Sequence, residues 1–461
     1  MPSLRTTLIA LMLAAAAALP ARGETGRFVH LSDIHFDPFD PLGAAKARAA
    51  TPPADWPSRL ADGADTPLAP WGRDTNAALL GSALDEAGRA AADADFVLVT
   101  GDLLAHDFPA KTERALGLPR GSAASADIAI RTALYVAGRL RAAFPGKPVL
   151  MTLGNTDSGC GDYHVDPGGE FLAATRAAVR ELAGPDLLDP GFDATFAAGG
   201  YYAARHPTLA DTTVIVIDDV LWSAEYRDAC GTSATAAAEA MMAWLEAELA
   251  RNAAAGRKVW LARHIPLGLD PYASLHARGS TCPDRVVPMF APAYAERFAG
   301  LLARFGETIT ASFSGHTHHD DYRLLRRADG TLAGVEKIVP AISPVYGQNP
   351  GFHVFSYDRA SGRPVDFETR YLANLGDAPT PATARWETEY RFTTAYGLGP
   401  YGPEAVERLW RGLSTADPAA TTYRRLYDVG HRELGVDEAR AYACALGHAE
   451  AANFTACFCR D

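Results

Sequence analysis

Phe96-Val97-Leu98-Val99, followed at once by Thr100-Gly101-Asp102-Leu103-Leu104-Ala105-His106, is the stretch on which the fold turns. Its first four residues are continuously apolar, as in a strand covered on both faces. The residues after them become polar at a glycine. The same change recurs along the chain. Phe28-Val29-His30-Leu31 leads into Ser32-Asp33-Ile34-His35, and Val149 to Leu153 leads into Gly154-Asn155-Thr156-Asp157. Val259-Trp260-Leu261-Ala262 leads into Arg263-His264-Ile265-Pro266, and Ile309 to Phe313 into Ser314-Gly315-His316-Thr317-His318. Val214 to Ile217 and the runs 335–342, 351–357 and 365–371 are further strand candidates. Between the early strands lie Ala- and Leu-rich stretches with helical spacing, 76–92, 124–144, 170–183, 234–255 and 291–305. Such alternation reads as an α/β fold.

Each strand-end motif is weak alone. A Gly-Asp after a strand is usually a turn, and a lone strand-end His is more often a satisfied polar group than a ligand. Gly-His-Thr-His is stronger, because two His at a spacing of two can turn from one loop into one cavity. The combination carries more. Asp33, His35, Asp102, Asn155, His264, His316 and His318 are seven donors, all at carboxyl ends of predicted parallel strands, where α/β sheets place ligands. One open metal site takes about three protein ligands, so seven suit two ions sharing a carboxylate. Mixed nitrogen and oxygen ligation suits zinc, manganese or iron better than calcium.

The chain has 461 residues, 48% of them hydrophobic and 21% charged, enough for a large core and against a disordered or collagen-like chain. Its formal net charge of -12 excludes a nucleic-acid scaffold, which needs a basic surface. At the N-terminus, Arg5 precedes an apolar run from Leu8 to Leu19, broken by Pro20-Ala21-Arg22-Gly23. This is the layout of a secretory signal peptide over residues 1–23, cleaved after Gly23, with a secreted or periplasmic destination. A membrane anchor is the alternative, but the run is short of the roughly 20 residues a bilayer needs. No later segment is apolar enough to span.

Export makes the six cysteines informative: Cys160, Cys230, Cys282, Cys444, Cys457 and Cys459. An even number suggests disulfides, whose pairing the sequence alone does not choose. Cys230 with Cys282, and Cys444 with one of the last two, are the expected pairs. Residues 37–75 are rich in Pro, Ala and Asp and read as a surface excursion of the kind that lines a site. Strand signals stop near residue 375. Segments 402–416, 418–429 and 436–449 read as helices, so the expected units are a catalytic domain over 24–375 and a helical, Cys-containing subdomain over 376–461. His30 reads as packed, and His206, His276, His431 and His448 have no motif context. His319 reads as pointing away or touching substrate. Asp218-Asp219 reads as a turn or an outer support, and Asn453-Phe454-Thr455 is a weak glycosylation match.

The ordered set D-x-H, G-D, G-N, H and G-H-T-H, spanning residues 33–318, resembles the calcineurin-like metallophosphoesterases. His106-Asp107 after Asp102, Val259 to Pro266, Ser314 to Arg323 and Ser343-Pro344 with Asn349-Pro350-Gly351-Phe352 resemble its acid sphingomyelinase-like and endopolyphosphatase-like branch. The resemblance implies a four-layer α-β-β-α sandwich with a small C-terminal helical subdomain. It implies two divalent ions, zinc first and manganese or iron as alternatives. Asp33, His35 and His318 would hold one ion, Asn155, His264 and His316 the other, and Asp102 both. A hydroxide between them would attack phosphorus in line, and His106 would be the proton donor, with an outer supporting role as its alternative. Most of the superfamily carries a His after the G-N asparagine that contacts the phosphoryl group; here Thr156 stands there. Thr156 and His164 are the candidate substrate contacts. Few residues separate Gly23 from Asp33, so the lipid-presenting domain that precedes the catalytic domain of acid sphingomyelinase is not expected. A phosphodiesterase on small soluble substrates such as nucleotides is the first reading. An endopolyphosphatase or phosphomonoesterase is the second, and a catalytically inactive metal-binding protein the third.

Overall fold

The computed structural model describes residues 25–40, 49–52, 55–56, 65–228, 230–231, 233–415 and 417–460. The expected signal peptide lies outside the described residues. No helix among them is long and apolar enough to cross a membrane.

Continuous apolar runs become inner strands, and two mixed six-stranded sheets result. The first half of the chain supplies β1 (Thr25–Leu31), β2 (Phe96–Thr100), β3 (Val149–Thr152), β4 (Tyr202–Arg205), β5 (Thr212–Val216) and β6 (Lys258–Ala262). A small two-stranded ribbon, β7 (Leu269–Asp270) with β8 (Val287–Pro288), follows. Then come β9 (Ile309–Ser314), β10 (Asp321–Arg326), β11 (Leu332–Ile338), β12 (Gly351–Asp358), β13 (Arg363–Leu372) and β14 (Trp386–Arg391). One sheet has the order β14-β13-β12-β1-β2-β3, the other β10-β11-β9-β6-β5-β4. β1, β2 and β3 run parallel, as do β5, β6 and β9, so the five motif-bearing strands end in loops of the same sense.

The sheets pack face to face through aromatic rings. Phe28 stacks between Phe96 and Phe355 of its own sheet, at centroid distances of 5.0 and 4.9 Å. It also meets Trp260 and Phe313 of the other sheet at 5.2 and 5.3 Å. All five rings are buried. Each such ring removed from water contributes about 1.5–3 kcal/mol, with up to about 1.5 more from a well-placed aromatic pair. Helices 77–90, 123–143 and 170–183 cover the outer side of the first sheet; 235–254, 292–304 and 403–413 cover that of the second. The layers are therefore helices, sheet, sheet, helices. His30 is packed as expected, its Nε2 3.0 Å from the Thr100 hydroxyl.

Besides the short β7–β8 ribbon, three strands of the two large sheets escaped the sequence reading. β10 begins Asp321-Tyr322-Arg323, yet is buried because Arg323 pairs with Asp321 at 2.5 Å inside the protein. β4 is short and ends on an exposed arginine. β14 is a polar edge strand antiparallel to β13, so strands do not stop near residue 375. Helices 403–413, 418–426, 436–447 and 451–458 follow it.

The cysteines pair as Cys160–Cys230, Cys282–Cys459 and Cys444–Cys457. Cys444 takes one of the final pair as expected, but the expected Cys230–Cys282 bridge is wrong. The segment after helix 271–276 packs with Leu269, Cys444, Phe454 and Phe458 in one apolar cluster, which carries Cys282 to Cys459 instead. Non-reducing peptide mapping should recover these three linked pairs, and a Cys230–Cys282 peptide would contradict the packing. Replacing both Cys282 and Cys459 by Ser should lower stability by about 2–4 kcal/mol in denaturant unfolding.

Candidate metal centre

Five strand ends converge on one edge of the sandwich, three from the first sheet and two from the second. Backbone hydrogen bonds sew their loops together. Asp33 N–H donates to Gly101 O at 3.0 Å, His35 N–H to Asp102 O at 2.9 Å and Gly315 N–H to His264 O at 2.9 Å. Two glycines are required by close approach. A Cβ on Gly154 would run into the Asp102 backbone and carboxylate, and one on Gly315 into Ser32 and Asp33.

The loops bring all seven predicted ligands together. Asp102 Oδ2 lies 3.3 Å from His35 Nε2 and 3.2 Å from His264 Nε2. On one side of it, His35 Nε2 is 3.1 Å from His318 Nε2, and Asp33 Oδ1 is 3.4 Å from His318 Nε2. On the other, Asn155 Oδ1 is 2.9 Å from His264 Nε2 and 2.7 Å from His316 Nδ1. His316 is half-buried and the other six are buried. Asp33, His35, Asp102, His316 and His318 all have left-handed backbones, with φ of 50, 44, 55, 70 and 65°. That conformation costs a non-glycine residue about 1–3 kcal/mol and persists where surrounding structure enforces it.

The donor chemistry fits cations. His35 Nδ1 faces the Leu104 carbonyl at 2.9 Å, and His264 Nδ1 faces the Thr100 carbonyl at 2.7 Å. A carbonyl only accepts, so each Nδ1 carries the hydrogen and each neutral ring turns its Nε2 lone pair inward. Those lone pairs meet carboxylate, amide and imidazole acceptors. Only a positive ion, a proton or a metal, reconciles acceptors at these distances. Burial pushes the pKa of His35 and His264 down, but the Asp102 carboxylate overrides it and raises them to about 9 and about 10. Burial lowers His316 to about 4, helped by the charge on His264. Burial pushes Asp102 up, and the neighbouring His264 and His35 more than offset it, leaving Asp102 well below the usual range.

Further residues support the ligands. Asp157, passed over in the sequence, accepts from Leu103 and Leu104 N–H through Oδ1 at 2.8 and 3.2 Å and from Gly154 N–H through Oδ2 at 2.9 Å, joining the Asp102 and Asn155 loops. Asp219 accepts from His264 and Ile265 N–H at 3.3 and 3.0 Å, so it is a support of that loop.

His106 stacks on His35 with centroids 3.9 Å apart, and its Nε2 faces the Tyr346 hydroxyl at 3.5 Å. Its Nδ1 is 2.9 Å from Asp74 Oδ1. Asp74 also meets Lys111, which lies 3.5 Å from Asp37. The sequence reading missed Asp74. It closes the aperiodic 37–75 excursion just before Asn76 caps helix 77–90, and that polar pair before a helix was the available signal. His319 turns away from the ligands, 2.9 Å from Asp428.

The two expected substrate contacts are both engaged with backbone carbonyls. The Thr156 hydroxyl is buried and donates to Leu104 O at 2.8 Å, which uses its hydrogen, while Thr156 N–H donates to Asp102 Oδ1 at 2.8 Å. Thr156 therefore positions Asp102. His164 Nδ1 faces the Arg227 carbonyl. Its neighbour Tyr163 stands edge-on to His316 instead, at 6.1 Å. A cavity of about 130 Å³ opens beside His316, walled by Tyr163, Tyr272, Tyr346, Tyr427 and Tyr442 with Asp270.

The sequence matches the calcineurin-like phosphoesterase family over residues 26–320. It is 26% identical to an acid sphingomyelinase-like phosphodiesterase 3b of Homo sapiens, covering 95% of this chain and 91% of that one. It is 27% identical to a cyclic GMP-AMP phosphodiesterase of Rattus norvegicus, covering 88% and 84%. A sphingomyelinase phosphodiesterase D of Dictyostelium discoideum is 26% identical over 71% of this chain and 67% of its own. These relatives lie in the branch that the motifs resemble. The match spans more than half of the chain and every residue of the ligand cluster: the chain belongs to the calcineurin-like phosphoesterase family.

Proposed function

We propose that the chain hydrolyses small soluble phosphodiesters with two divalent ions, zinc before manganese or iron. The observation that carries the reading is the single Asp102 oxygen within 3.3 Å of an imidazole nitrogen from each half of the cluster. Asp33, His35 and His318 would hold one ion, Asn155, His264 and His316 the other, and Asp102 both. Bound there, the ions lower the pKa of water and neutralise charge on phosphoryl oxygens.

The chain's own residues do the rest. Thr156, Asp157 and Asp219 hold the ligands in place. His106, a quarter exposed, turns Nε2 to the cleft and gives a proton to the leaving oxygen. Asp74 fixes its tautomer by accepting from Nδ1. The tyrosine walls beside His316 suit a planar group such as a nucleobase. Relatives named as cyclic GMP-AMP and sphingomyelinase-like phosphodiesterases favour a diester over a monoester or polyphosphate. Three disulfides accord with an oxidising compartment, so the product is secreted or periplasmic. In this reading residues 24–375 carry the chemistry and the helices after them brace it.

Hydrolysis of bis(p-nitrophenyl) phosphate should exceed that of p-nitrophenyl phosphate and cease with chelator. No metal-dependent turnover of any phosphate ester would sink the reading. Asp102→Asn should cut turnover at least about a hundredfold. It should also lower zinc from near two ions per chain to one or fewer; two retained ions with full activity would contradict the shared role.

His106→Gln should cost about a hundredfold or more on diesters with poor leaving groups and far less on nitrophenyl esters, whose departure needs no proton. An equal loss on both would remove the proton-donor role.

Metal binding must displace the protons that His35 and His264 hold up to about 9 and about 10. Zinc affinity by chelator competition should therefore be at least about tenfold tighter at pH 8 than at pH 6. Without metal the sign reverses for stability. Folded-state values above the ordinary 6.5 stabilise fully below that pH, and the stabilisation fades as pH rises through 9 to 10. Melting of the metal-stripped protein should follow that trend.

A further inference from the structure

Tyr163 sits in a loop whose other groups are committed. Tyr163 N–H donates to the carbonyl of the ligand Asn155 at 2.7 Å, and Arg227 N–H donates to Tyr163 O at 3.0 Å. The Tyr226 hydroxyl donates to Val165 O at 2.9 Å, and Asp162 accepts from Asp107 N–H at 3.1 Å. The Cys160–Cys230 disulfide ties the same two loops. Within this anchored loop Tyr163 has φ 62°, a left-handed backbone that a bulky aromatic residue rarely adopts. Such strain is kept where it aims a group at a site. The ring is edge-on to His316 and lines the cavity beside it. Among the described residues its hydroxyl has no hydrogen-bond partner.

The neighbouring hydroxyl is not available. Thr156 follows Asn155 directly, but its hydrogen goes to Leu104 O. His106 serves the opposite side, against His35 and His318. On the Asn155, His264 and His316 side, the Tyr163 hydroxyl is thus an O–H without a partner among the described residues, carried by a loop that is itself anchored to Asn155.

We propose that Tyr163 contacts the substrate, its phenol donating a hydrogen bond to a non-bridging phosphoryl oxygen on the His264 and His316 side. This rests on the phosphodiesterase reading above. A donor to a non-bridging oxygen strengthens its bond as charge grows there, whatever group departs.

Tyr163→Phe keeps the ring against His316 and removes only the hydroxyl. Zinc content and melting temperature should match the unmodified protein. The kcat should fall about tenfold to a hundredfold, with KM little changed, and by the same factor on nitrophenyl and on poorly leaving diesters. Inorganic phosphate should bind the zinc-loaded variant about tenfold more weakly by calorimetry. Tyr163→His, which restores a donor, should recover part of both losses. Unchanged kcat and phosphate affinity in Tyr163→Phe would overturn the proposal, as would a loss confined to poor leaving groups. If the unmodified protein turns over no diester, the reaction reading fails. The phosphate measurement then still decides whether Tyr163 holds a phosphoryl oxygen.

Discussion

The Asp102 carboxylate is the constraint from which the rest of the structure can be read. One oxygen is held by Thr156 N–H, and the other stands between His35 and His264. Asp102 and His35 follow strands of the first sheet, whereas His264 follows β6 of the second. A single atom can serve both imidazoles only if the two sheets keep a fixed separation at this edge. The Phe28, Phe96, Phe355, Trp260 and Phe313 layer sets that separation, because close-packed rings leave little freedom to slide. Core packing and ligand spacing are therefore one problem. A cavity cut at Phe28 would be felt at the site as well as in stability.

Strain is the second part of the design. Five residues of the cluster hold left-handed backbones, and the loops repay that cost with hydrogen bonds that cross between motifs. Asp33 accepts His316 N–H, Asp157 joins the Asp102 and Asn155 loops, and Asp219 supports His264. Side chains from neighbouring loops brace these motifs, so the protein itself holds the cluster in place. This pre-organisation keeps acceptor atoms close together that would otherwise repel, and it gives the cluster its demand for positive charge.

The clustering of these seven residues was legible because its signals are local. A continuous apolar strand followed by Gly, Asp or His says where a side chain emerges, and parallel strands emerge on one edge. The inner strands and most helices were legible for the same reason. What failed were features set by partners distant in sequence. β10 is one, since Arg323 is tolerable inside only with Asp321 beside it. The Thr156 hydroxyl reaches Leu104, 52 positions away, a partner that its place after Asn155 does not report. Asp74 had to cross from the end of an aperiodic excursion to reach His106. The Cys282–Cys459 bridge spans 177 positions and is decided by helix packing, which periodicity does not report.

The C-terminal helices are part of the same machine, for the loop carrying His316 and His318 leans on them. Asp320 N–H donates to Tyr427 O at 3.1 Å, His319 meets Asp428, and Asn349 donates to Val429 O at 2.9 Å. On the inner side, the Asp320 carboxylate is filled by buried Lys337, His353, Thr369 and Tyr390. The residue next but one to His318 is thus gripped from both faces, by a saturated ion cluster between the sheets and by a helical bundle outside. One disulfide lies within that bundle, and a second ties it to the segment beside helix 271–276, which contributes Tyr272 to the cleft. Cross-linking so far from the ligands makes sense if the helices serve to hold the last loop. Loosening them would release His316 and His318 together, and with them one imidazole from each half of the cluster.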